Sequence, residues 1–197
     1  MKWIRVATLS FALTTPFNCG LATQKIAQIE MGKVFMQSHN TEQDLIETVE
    51  KVVGKDGGFI ETAEKAGADL TEGTLKNDTV ITLTTYRTPS SGVDPRATLL
   101  GQRVVAELPV SNLSLTLSDL MYLYTPISPD EVKKGDKVLA SIGVRTPDGK
   151  EIVTIRNYRR DAAYPVEGEI VSAVFEEYGN PETLTVSLEI LNVNNIF

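Results

Sequence analysis

From residue 79 onward, apolar side chains recur at every second position, the period of a β-strand with one buried face and not that of a helix. The clearest case is Leu184, Val186, Leu188 and Ile190, which alternate with Thr185, Ser187 and Glu189. Because a one-residue slip would carry the whole apolar set to the wet side, such a strand has a fixed register. Residues 79–86, 97–110 and 113–117 read the same way; in the last of these Leu113, Leu115 and Leu117 alternate with Ser114, Thr116 and Ser118. Residues 137–145 and 151–158 flank Thr146-Pro147-Asp148-Gly149. Proline presets the first turn dihedral, aspartate bonds its own backbone and glycine accepts positive φ, so these two segments are predicted to pair as a hairpin. Further strands are expected at 167–176 and 183–193, separated by Tyr178-Gly179-Asn180-Pro181.

The amino-terminal part has another rhythm. Thr41 can cap a helix over residues 41–53 with Asp44 three residues on, and Leu45, Val49, Val52 and Val53 fall on one helical stripe. Gly54-Lys55-Asp56-Gly57-Gly58 breaks it, and a second helix is expected over 59–66, ended by Gly67. Residues 21–36 mix two periods and read as a helix through Ile26 and Ile29. Residues 87–95, with two prolines and Gly92, form a loop, and Ser128-Pro129-Asp130-Glu131 forms one capped helical turn. The sum is an α+β fold, mainly antiparallel β as a sandwich or open barrel, with a small N-terminal helical layer. Nothing alternates as βαβ, which disfavours a doubly wound sheet. A chain of 197 residues can bury one sizeable core, and residues 23–197 are taken as a single β-rich domain.

Residues 1–22 admit two readings. Lys2 and Arg5 precede an apolar run over 6–13, and Gly20-Leu21-Ala22 offers small residues where a signal peptidase cuts. The segment over residues 3–13 can instead be a first β-strand, with Trp3, Ala7, Leu9, Phe11 and Leu13 on one face. In either case it is too short to span a bilayer, and no transmembrane segment is expected elsewhere. Cys19 lacks the small and aliphatic residues of a lipobox before it; as the single cysteine it permits neither an intramolecular disulfide nor a thiolate metal cluster.

The formal charge of −7 and the pI near 4.8 argue against nucleic acid as a partner, because phosphate neutralisation needs a surplus of Lys and Arg. His39, the only histidine, sits in the polar stretch Gln37-Ser38-His39-Asn40 and is expected on a solvated loop. No nucleophile elbow surrounds Ser90 and Ser91, and no phosphate loop or dinucleotide fingerprint is present, so neither cofactor nor metal is expected. Asp56 to Glu64 looks like the tail of a calcium loop, but Val53, Lys55 and Gly57 stand where oxygen ligands are required, and a turn is the better reading. Asn77-Asp78-Thr79 and Asn112-Leu113-Ser114 are chance-level glycosylation sequons.

The basic aromatic cluster consists of Arg156, Tyr158, Arg159, Arg160 and Tyr164. Guanidinium and phenol side chains together can grip an anion, or they can meet the acidic face of a neighbouring subunit; these five residues are the candidate interaction surface. The expectation is therefore a non-enzymatic structural or interaction protein, a subunit of an extracytoplasmic or virion (phage-like) assembly with homo- or hetero-oligomeric protein partners. It is extracytoplasmic, periplasmic or secreted, if residues 1–22 are a signal peptide, and otherwise part of a virion or another assembly. The alternative is a secreted or periplasmic binding module for a small ligand or polysaccharide, with Tyr122, Tyr124, Tyr158 and Tyr164 as its aromatics. A third reading is a hydrolase using a carboxylate pair such as Glu167 and Glu169, or Glu176 and Glu177.

Overall fold

The computed structural model describes residues 45–90 and 93–194; the readings of residues 1–22 and 21–36, Cys19 and His39 fall outside the described residues. The described chain forms ten strands: β1 (Leu45–Val53), β2 (Gly58–Glu61), β3 (Gly67–Leu70), β4 (Thr79–Tyr86), β5 (Thr98–Pro109), β6 (Asp119–Tyr124), β7 (Val138–Arg145), β8 (Glu151–Asn157), β9 (Tyr164–Glu167) and β10 (Thr183–Asn192). One helix, α1 (Gly168–Tyr178), separates β9 from β10. Every strand pair is antiparallel. Six strands make a large sheet in the order β1-β4-β5-β10-β7-β8, and four make a smaller one in the order β2-β3-β6-β9.

The two sheets share one core. On the large sheet the period-two pattern sends Ile81, Leu83, Val104, Ala106, Leu184, Val186, Leu188, Ala140 and Ile142 inward; Ile60, Ala68, Leu123 and Val166 answer from the small sheet. The central strand β10 is laid down by its alternation alone: Val186 lies opposite Ala106 on one side and Val144 on the other. The hairpin forms as predicted, with β7 and β8 in register from Leu139 opposite Asn157 to Arg145 opposite Glu151. Its turn closes through Gly149 N–H to the Thr146 carbonyl at 2.9 Å, and Lys150 and Thr146 hold the Asp148 carboxyl down to about 2.

The N-terminal helical layer is not present in the described residues. Residues 45–53 of the expected 41–53 helix are strand β1, paired with β4 from Leu45 opposite Tyr86 to Val53 opposite Thr79. The helical stripe arose because Lys51 occupies the register position between Val49 and Val53, hiding the alternation. Its stem lies across the sandwich edge, with Nζ donating to the Phe59 carbonyl at 2.7 Å and standing 4.4 Å from that ring. The expected 59–66 helix is the hairpin β2–β3: Thr62 N–H bonds the Ala66 carbonyl at 2.9 Å and Lys65 takes positive φ. Gly54 to Gly58 is thus no helix break but a tight turn that carries the chain from one sheet to the other. Gly57 has φ 76°, and a Cβ there would stand 2.5 Å from the Leu70 carbonyl oxygen.

Two strand expectations also change. Residues 168–176 of the segment read as a strand belong to α1, in which Val171, Val174 and Phe175 fall on one buried stripe; its β-branched content favours a strand locally, and packing on the core overrides it. Residues 113–117 form a loop whose Leu113 makes an isolated bridge to Leu75, while Leu115 and Leu117 pack against the core without a ladder. Strand β6 follows it in place of the predicted one.

Candidate functional site

Beyond the end of β8 the chain turns back into β9 through residues 158–163, and Tyr164 anchors that turn. Tyr164 is buried, its hydroxyl accepting from Arg159 N–H at 2.9 Å and donating to the Arg159 carbonyl at 3.2 Å. A ring inserted in the core thereby sets the exit direction of a polar loop. Asp161 at its tip has φ 54°, a left-handed conformation that aspartate tolerates better than most residues.

A cleft of about 230 Å³ lies between this turn and the segment that leaves β6. Tyr124, Ile127, Tyr158 and Tyr164 give it an apolar, aromatic lining with Ile190 among its walls; Lys65, Arg159 and Asp161 supply the charge. A second recess of about 190 Å³ shares Ile127 and Tyr158 with it and reaches Pro129, Val132 and Arg160. The turn that frames it is built by a capping box, in which Ser128 N–H donates to Glu131 Oε2 at 2.6 Å.

The phenols in the cleft stay protonated at neutral pH. Burial first, then the Glu61 and Asp69 carboxylates, push Tyr124 up to about 12, and burial is also the main cause that raises Tyr158 and Tyr164. The cations differ in their engagement. Lys65 Nζ is 2.7 Å from Glu61 Oε2, and Arg160 Nε lies 3.7 Å from Asp161 Oδ2. Arg159 uses its backbone to hold Tyr164, and its guanidinium has no hydrogen bond or ion pair among the described residues.

The five residues of the candidate interaction surface are therefore divided. Tyr158, Arg159 and Tyr164 line the cleft and Arg160 lines the adjoining recess, whereas Arg156 points to a different place, where its guanidinium pairs with Glu167. That pairing also separates the candidate carboxylates: Glu167 ends β9, Glu169 lies in the first turn of α1, and the two do not share a strand face. Of the four tyrosines, Tyr122 stands apart, donating to Asp119 Oδ2 at 2.8 Å. Among the described residues, no group of three or more His, Cys, Asp and Glu side chains is placed to hold a metal ion.

Two features carry no motif in the sequence. Lys65 reaches the cleft through the β2–β3 hairpin, an element that the sequence reading took for a helix. On the outer face of the large sheet, Glu189 and Glu151 are buried together with Ser187, Ser141 and Arg103. Glu189 accepts from both the N–H and the hydroxyl of Ser90, and Ser187 donates to Glu151. The hint is a glutamate in the fourth polar position of β10, where an exposed strand and a buried one look alike.

No family model, no curated protein and no solved structure matches this chain.

Proposed function

We propose that this chain is a non-enzymatic structural protein that assembles with copies of itself through strand β1, as a subunit of an extracytoplasmic or virion-type assembly. The observation that carries this reading is an apolar pair at the edge of the large sheet. Val52 and Val80 lie opposite one another across β1 and β4 and are 60% and 51% exposed, with Leu45 also exposed on β1. Apolar side chains beside an edge strand are a liability that natural sheets cover or charge, and an edge that keeps them is a template for strand addition. Among the described residues β1 pairs on one side only, with β4.

The sequence of β1 complements itself. Antiparallel pairing of two copies centred on Val49 sets Glu47 opposite Lys51 twice, side chains that within one chain bond the β2–β3 hairpin, Glu47 from Ala63 N–H at 2.9 Å and Lys51 to the Phe59 carbonyl at 2.7 Å. The basic pattern of residues 1–22 supports export as the setting. The experiment is a charge swap read by sedimentation velocity. Lys51→Glu puts like charges opposite each other and is expected to dissociate the assembly, while Glu47→Lys combined with Lys51→Glu restores it. Association that ignores both changes rules β1 out as the joining strand.

A further inference from the structure

A second site is the cleft beside Tyr164, to which the β2–β3 hairpin that touches β1 contributes Lys65. Its lining combines tyrosine rings with Arg159, whose guanidinium has no hydrogen bond or ion pair among the described residues; the Tyr124 and Tyr164 hydroxyls already donate, to Glu61 and to the Arg159 carbonyl. An arginine with no carboxylate partner among the described residues gives an anionic occupant one local countercharge, and it must act against the chain's net charge of −7. One guanidinium fork matches one carboxylate bidentately. A phosphate dianion would call on further free cations, and Lys65 and Arg160 are drawn towards Glu61 and Asp161. The volume of about 230 Å³ suits a single ring and not a chain of them. Tyr158, shared between cleft and recess, offers a face for that ring, and Asp161 can accept from its hydroxyls.

We propose that this cleft binds an acidic sugar, one uronic-acid unit of a saccharide, with its carboxylate on Arg159 and its ring against Tyr158. The recess that continues past Tyr158 to Pro129 and Arg160 gives a neighbouring sugar unit room to leave the site. Neither contact touches the bonds that fix the turn, because Arg159 holds Tyr164 through its backbone alone.

Isothermal titration of the full chain with glucuronate, glucose and inorganic phosphate tests the assignment. Glucuronate is expected to saturate one site, with glucose about tenfold weaker or more, because a charge-assisted pair is missing. Arg159→Gln is expected to lower glucuronate affinity by about tenfold while leaving the thermal midpoint unchanged. Arg159→Lys, which keeps the charge and loses the fork, should fall between the two. Equal affinity for glucose and glucuronate, phosphate binding as tight as glucuronate, no saturable glucuronate site, or an Arg159→Gln chain that binds like the parent would each overturn the proposal. The comparison of the three ligands on the unaltered chain decides the matter even if a variant fails to fold.

Discussion

At the scale of single residues, the outer face of the large sheet holds the most consequential chemistry for stability. Glu189 is 2% exposed, and burial raises its carboxyl above the ordinary glutamate range despite the Ser90 donors and Arg103. The folded protein therefore holds this proton more tightly than the unfolded chain does. Its contribution is fully present below the ordinary glutamate value and is lost as pH rises through the raised folded value. Glu189→Gln removes the charge and keeps a carbonyl for Ser90, so the variant should be more stable than the parent at neutral pH, on the order of 1 kcal/mol. That advantage should vanish in acid, as thermal melts across pH would record. An advantage that persists in acid would show that charge burial is not its source. Beside it, Gly143 is required for space. A Cβ there would run into Glu151 and Ser187, whose hydrogen bond crosses over the glycine. Gly143→Ala should cost about 1–3 kcal/mol in urea unfolding by prising that bond apart. Adding Glu151→Ala should make the double variant lose less than the sum of the two.

At the scale of elements, legibility in the sequence followed whether local pattern and burial agree. Where the inward positions are apolar, as with Leu184, Val186, Leu188 and Ile190 along β10, the period of two was readable residue by residue. β1 was not, because Lys51 takes the register position between Val49 and Val53 and donates to the Phe59 carbonyl on the neighbouring hairpin. α1 failed in the other direction: Ile170, Val171, Val174 and Phe175 are strand formers by propensity and become helical because that stripe closes the core. Truncation should show the difference between its faces. Phe175→Ala is expected to cost about 3–5 kcal/mol, whereas Glu176→Ala, on the exposed face, should stay within about 0.5 kcal/mol of the parent in the same denaturation assay. Equal effects would mean that α1 does not pack on the core as described. The cleft was partly legible: Tyr158, Arg159 and Tyr164 were picked out by composition, but Arg156 is drawn off to Glu167, and Lys65 arrives from a hairpin that a helical reading hides.

At the scale of the whole molecule, the two sheets bury apolar surface on their facing sides and leave the edge at β1 with Val52 and Val80 in solvent. Phe59 and Ile155 are exposed as well, and the edge at β1 is the one where the proposed second copy would cover apolar side chains. The net charge of −7 opposes close approach of two copies in general, so in the proposed contact the attraction would come from the register that opposes Glu47 to Lys51. Assembly should accordingly weaken as salt screens those pairs. The proposed ligand contact is tested at Arg159 and the proposed assembly at Lys51, residues on different elements. The most direct measurement is native mass spectrometry of the full chain at its natural concentration. A defined oligomer that falls to monomer with Lys51→Glu and returns when Glu47→Lys is added is the predicted result; a chain that stays monomeric as concentration rises would contradict it.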